Sequence, residues 1–164
     1  MKVADLFESR YGNVEAFLKY LDIDHTKIDQ EWSGSLACTD KGLTSLKGSP
    51  KHVSKHFYCN INELTSLEYA PKTIGGNFNC SQNKLTSLHN IHKQIESIGG
   101  EFKVYDNHIT SCLLGLLKIK KLKHLDMADQ VQVEDIINKY LPEGDIIECQ
   151  AELIEAGFDE YAKL

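Results

Sequence analysis

Apolar residues recur along this chain with a step much longer than a helix or strand period. The tetrapeptide Leu-Thr-Ser-Leu stands at 43–46, 64–67 and 85–88, each copy 21 residues after the last, and a degenerate copy, Ile109-Thr-Ser-Cys112, follows after 24. With the three extra residues placed in the stretch 89–100, other positions keep the same step. Trp32, Val53, Ile74 and Ile98 form one column. Leu36, Phe57, Phe78 and Phe102 form a second, and Cys38, Cys59, Cys80 and Val104 a third. Asn62, Asn83 and Asn107 form a fourth, with Lys41 in the first copy. Self-similarity at such a period marks stacked units, none of which buries its apolar face alone.

Within a unit, Ile74-Gly-Gly-Asn-Phe78-Asn-Cys80 places apolar or small residues at 74, 76, 78 and 80. That alternation predicts a strand with these positions turned inward. Asn83 then bonds neighbouring backbone groups at a turn, and Leu85 and Leu88 return to the core. Pro50 and Pro71 suit the returning arc, where a missing N–H costs no ladder bond. Units stacked in this way make a parallel sheet. In 13–21, Val14, Phe17, Leu18 and Leu21 have helical spacing; with Val3, Leu6 and Phe7 they predict a helical N-terminal cap over 1–31. The repeats occupy 32–127, where Leu125 and Met127 take the inward positions of a last irregular unit. An acidic helical C-terminal cap follows over 128–164, with Val133, Ile136, Ile137 and Tyr140 on one face, Ile146, Ile147, Cys149, Leu153 and Ile154 in a second helix, and a break at Gly157. The whole reads as one compact domain of α/β repeat class.

The run Phe57-Tyr-Cys59-Asn-Ile-Asn62-Glu-Leu64 resembles the LxLxxNxL core of leucine-rich repeats, and Phe78 through Cys80, Asn83, Leu85 and Leu88 resembles the short bacterial type. The Gly-Gly before the strand is similar to repeats of tailed-phage proteins. The resemblance spans about 32–127. It implies a short leucine-rich-repeat-like solenoid that recognises a protein without catalysis. It also implies a phage-encoded inhibitor or modulator of a host enzyme or defence protein, working in the host cytoplasm. Some leucine-rich bacterial effectors carry a cysteine-dependent ubiquitin ligase after the repeats, but Glu148-Cys149-Gln150-Ala151 departs from the Cys-x-Asp that such a ligase needs.

If 74, 76, 78 and 80 face inward, the alternate positions build an outward ladder. The candidate partner-binding residues on it are His56, Tyr58 and Asn60 in one row, Asn77, Asn79 and Ser81 in the next, and Glu101, Lys103 and Tyr105 in the third. Ser33, Ser35, Ala37 and Thr39 precede them, and His124 and Asp126 follow. Tyrosine in a polar, amide-rich surface suits an interface, because it offers large contact area at low entropy cost.

Charge refines the picture. The chain carries 18 basic and 24 acidic residues, net −6. Residues 32–127 hold 12 basic and 7 acidic groups, whereas 1–31 and 128–164 are net −3 and −8. Lys118, Lys120, Lys121, Lys123 and His124 make the densest basic cluster. With Tyr105 as a stacking platform they form the alternative site, for nucleic acid or a nucleotide. The other chemistries lack their patterns. His52 and His56 sit four apart on a segment that does not converge them as a helix would, and evenly spaced cysteines are not a zinc knuckle. Cys112 and Cys149 have no base motif beside them. The Gly-Gly pairs precede strands rather than helix N-termini, so they are not phosphate loops. No stretch approaches a membrane span. The expectation is a chain with no cofactor, no metal, no membrane segment and no enzymatic activity, in a reducing compartment where five cysteines stay free.

Overall fold

The computed structural model describes residues 31–128 and 130–164. The helical segment expected around Val14–Leu21 lies outside the described residues; Glu31, the last residue assigned to that cap, opens the first strand. The described chain winds into a parallel-strand solenoid of about five turns with few helices. Each of the first four turns contributes two short strands, one to each of two sheets. The first sheet is β1 (Glu31–Trp32), β3 (His52–Val53), β5 (Thr73–Ile74) and β7 (Ser97–Ile98), in that order. The second is β2 (Leu36–Ala37), β4 (Phe57–Tyr58), β6 (Phe78–Asn79), β8 (Glu101–Lys103) and β9 (His124–Asp126).

The register is the one the repeat predicts. Trp32, Val53, Ile74 and Ile98 pair in sequence across the first sheet, and Leu36, Phe57, Phe78, Phe102 and Leu125 across the second. The three phenylalanines stack, with centroids 5.4 Å apart for Phe57–Phe78 and 5.1 Å for Phe78–Phe102. Each such pair adds about 0.5–1.5 kcal/mol beyond the area it buries. Cys38, Cys59, Cys80, Val104 and Met127 are buried beside them.

The single strand expected over 74–80 is instead two strands with a corner between them. The alternation through 74, 76, 78 and 80 counted Gly76 as an inward residue, but a residue without a side chain holds no face. A Cβ on Gly75 would lie 2.1 Å from the Ser54 carbonyl oxygen, and one on Gly99 would lie 2.1 Å from that of Gly75. Neither glycine has positive φ. They are needed because the turned backbone comes against the previous turn, and only glycine leaves room.

The leucines and the serine of the Leu-Thr-Ser-Leu signature each have a task. Both leucines of every copy are buried. The hydroxyls of Ser45, Ser66 and Ser87 accept the N–H two residues on, at 3.0–3.1 Å, closing the turn into the returning arc. The arcs over 43–50 and 64–71 carry no helix, so the α/β character expected of each repeat is confined to one place among the first turns. There the three extra residues wind into α1 (Ile91–Gln94).

The asparagine column joins consecutive turns. Asn83 Oδ1 accepts the Leu64 N–H at 3.0 Å, while its Nδ2 donates to the Cys59, Cys80 and Ser81 carbonyls at 3.0–3.1 Å. Asn62 and Asn107 repeat the pattern. Beyond a 3₁₀ segment (Leu114–Lys118), α2 (Val131–Tyr140) buries Val133, Ile136 and Ile137, as the spacing predicts. In α3 (Ile146–Glu155) only part of the expected apolar face is covered: Cys149 and Leu153 are buried, whereas Ile147 and Ile154 are 77% and 49% exposed. Gly157, at φ +81°, ends α3 as expected.

Three outcomes follow for stability and reactivity. Phe78→Ala, a truncation in the middle of the stack, is expected to cost about 3–5 kcal/mol in chemical denaturation. A cost under about 1 kcal/mol would contradict the placement of Phe78 in the core. Asn83→Ala strands the buried Leu64 N–H and takes one of two donors from each of the Cys59, Cys80 and Ser81 carbonyls, at about 1–3 kcal/mol for the unsatisfied N–H; a loss of less than that on denaturation would mean water replaces the side chain. Burial pushes the Cys38 thiol up to about 12 and Cys149 to about 11, and holds Cys59 and Cys80 well above the ordinary thiol range. Cys112 alone is half-exposed. At pH 8 a disulfide reagent should therefore modify one thiol of five in the native chain, and all five after unfolding.

Candidate functional site

Two polar surfaces emerge from the corner, one on each sheet. On the second sheet the structure brings the expected residues together in rows. Tyr58 pairs with Asn79, Asn79 with Lys103 and Lys103 with Asp126; Glu101 lies opposite His124. His56, Asn77 and Glu101 form the row before them, joined by the Asn77 N–H to His56 Nδ1 at 3.0 Å and the Glu101 N–H to Asn77 Oδ1 at 3.2 Å. His56 and Tyr58 also stack, with centroids 5.8 Å apart.

Ser81 departs from expectation: it is fully buried. Backbone bonds from Ile61 N–H to the Ser81 carbonyl and from Gln82 N–H to that of Tyr105 place it between Asn60 and Tyr105 in the next row. The small side chain is overshadowed by its larger neighbours, and its hydroxyl donates to Asn79 Oδ1 at 2.7 Å.

Most of this face is satisfied from within. Asn60 Oδ1 accepts the Thr39 hydroxyl at 2.9 Å, and Asn79 Oδ1 holds the Ser81 N–H and hydroxyl. Lys103 lies 3.3 Å from Glu101 and 3.5 Å from Asp126, so the cation of this face is held between two carboxylates. The carboxylates beside Lys103 raise its pKa against the opposing pull of burial, keeping it protonated. Tyr58 and Tyr105 differ from these neighbours: both are half-buried, and neither hydroxyl has a hydrogen-bond partner among the described residues.

The surface on the first sheet escaped the sequence reading. A groove of about 640 Å³ runs across β1, β3, β5 and β7. Its rungs are Glu31, His52, Thr73 and Ser97, aligned by the parallel register. His52 Nδ1 and the Thr73 hydroxyl lie 2.7 Å apart. The corner residues Ser33, Ser54, Gly75 and Gly99 make a floor of minimal side chains, with Trp32 at one end and Lys121 at the other. The signal was the Gly-Gly pair, whose missing side chains open the groove as well as permitting the corner.

The basic cluster does not converge on its expected platform. Lys118 lies on the 3₁₀ segment, Lys120 pairs with Ser97 at the end of the first sheet, and Lys123 sits at the corner, its N–H bonded to the Gly100 carbonyl. Tyr105 lies past the far end of β8, two residues beyond Lys103. Among the described residues no group of three or more His, Cys, Asp or Glu side chains comes together, and no helix is long and apolar enough to cross a membrane. No family model, no curated protein and no solved structure matches this chain, so the functional reading stands on its own geometry.

Proposed function

We propose that the chain is a leucine-rich-repeat-like recognition module, closed by helices at its ends, that binds a protein partner through the outward face of the second sheet. The observation that carries this reading is the state of Tyr58 and Tyr105. Both rings are partly exposed with free hydroxyls, on a face whose amide oxygens and charges are largely paired with one another. Such a face is already ordered. Association then costs little side-chain entropy, and the tyrosines supply contact area and two unspent hydrogen-bonding groups.

His56, Asn60, Asn77, Asn79, Glu101 and Lys103 act in this reading as the polar surround of the two tyrosines. The resemblance to phage repeats points to a host protein as the partner, bound in the cytoplasm and inhibited by occupation of its surface rather than by chemistry.

The test compares wild type with a Tyr58→Ala, Tyr105→Ala variant matched for thermal stability. Asn79 and Asn77 are left intact because they hold backbone groups. Tagged protein is used to capture a partner from bacterial lysate, and the purified pair is then titrated by calorimetry. Loss of two anchors of this kind should weaken binding at least 100-fold, since each is worth about 2 kcal/mol or more. Equal affinity for both proteins would remove the second sheet from the interface.

A further inference from the structure

The parallel register gathers lysines that are scattered in sequence along both borders of the first-sheet groove. On the side where strands enter, the Lys72 N–H bonds the Lys51 carbonyl and the Glu96 N–H that of Lys72, so 51, 72 and 96 follow one another, while Lys120 pairs with Ser97 and ends the row of rungs. On the corner side, Lys55 N–H bonds the Gly34 carbonyl, Gly76 N–H that of Lys55, and Lys123 N–H that of Gly100. Lys51, Lys55, Lys120, Lys121 and Lys123 are all exposed, and none has a carboxylate partner among the described residues. Lys72 and Glu96 offset each other at 3.8 Å. Among the described residues Glu31 is the one acidic residue of the groove lining.

We propose that this groove binds single-stranded nucleic acid, with the phosphates tracking the lysine rows and bases entering over the glycine floor against Trp32 and His52. The charge requires an anionic ligand even though the whole chain is net negative. The elongated run of rungs favours an extended one, and an aromatic group beside a cationic channel is the combination that holds unpaired bases. The groove's volume lies within the range of sites that accept small organic groups, about 300–1,000 Å³. A duplex has its bases stacked away from such a floor. This site is separate from the tyrosine face, so the two readings succeed or fail independently.

Trp32 is the only tryptophan of the chain. Its fluorescence therefore reports the groove directly. Full-length protein is titrated with a dodecamer of thymidylate, with thymidine monophosphate, with inorganic tripolyphosphate and with poly-glutamate. Saturable quenching by the dodecamer is expected at 50 mM salt. With about four phosphates neutralised, affinity should fall about 50-fold between 50 and 200 mM salt. Lys120→Glu with Lys121→Glu should abolish quenching at both salts. Lys51→Gln with Lys55→Gln should reduce the salt slope by about 1.4. Tyr58→Ala with Tyr105→Ala should leave both unchanged.

Quenching by the monophosphate at comparable affinity would support the same base-and-phosphate chemistry with a free nucleotide as its source. Absence of dodecamer quenching at 50 mM salt would overturn the proposal. So would quenching that survives both lysine variants, or binding of tripolyphosphate or poly-glutamate as tight as that of the oligonucleotide. The last would mean that the groove reads charge alone, as for an acidic polypeptide.

Discussion

The asparagine that follows each of β4, β6 and β8 is the constraint on which the solenoid depends. At the end of every strand the chain must turn while its peptide groups are being buried by the next turn. Backbone groups in that position find neither water nor a ladder partner. Asn62, Asn83 and Asn107 solve this with one side chain that has both an acceptor and two donors. Each accepts an N–H from the previous turn and donates to carbonyls of its own and the previous turn. The residue before each of them, Ile61, Gln82 and Asp106, is held in the left-handed region. Stacking by a fixed step follows, and the three extra residues of the longer turn are taken up around α1, away from the amide of Asn107 that meets the Leu85 N–H.

That fixed step turns sequence position into surface. Once each turn lies directly over the last, the corner glycines meet the preceding backbone, and their lack of Cβ becomes necessary. The same lack removes side chains from the outer surface along one line. A packing requirement inside the stack thereby produces a groove outside it. The second sheet has no such line; its outward positions carry side chains in every row, and they pair laterally, Asn77 with Glu101 and Lys103 with Asp126. One face is thus a shallow channel with free cations along it, and the other a filled surface whose charges pair with one another, with two free phenols.

Much of this was legible in the sequence. The columns through Phe57, Phe78 and Phe102, the cysteine column and the asparagine column all appear in the structure at the positions the 21-residue step assigns. They are legible because a stacked repeat imposes the same environment at the same offset. The corner was not, since Gly76 fits an alternating pattern as well as it fits a break; only the approach of Gly75 to the Ser54 carbonyl distinguishes them. Ser81 was misplaced because alternation describes one strand, whereas its burial comes from the neighbouring rows. Ile147 and Ile154 show the same limit in α3, where helical spacing identifies an apolar side but not how much of it a neighbour covers. The tyrosines were identifiable as surface residues, but their free hydroxyls only emerge once the amides around them are seen to be paired. Lys51, Lys55 and Lys120 look unrelated until register puts them along one groove.

The last turn shows how the end of the second sheet is closed to a further strand. A parallel sheet that ends in solvent offers unpaired N–H and C=O groups to any passing strand. Here the β9 edge is occupied from within. Asn138 on α2 accepts the Leu125 N–H at 2.7 Å and donates to the Leu125 carbonyl at 2.9 Å, as the repeat asparagines do for the turns before it. Glu134, one helical turn earlier, accepts the Met127 and Ala128 N–H groups. Two side chains of this helix thus occupy the β9 edge, with Glu134 spent on backbone while Asp135 beside it stays exposed. A partner strand approaching β9 would have to displace both bonds to Leu125 and the carboxylate on Met127 before gaining any of its own. The tyrosine face and the glycine-floored groove demand no such exchange, since their free groups already point away from the stack.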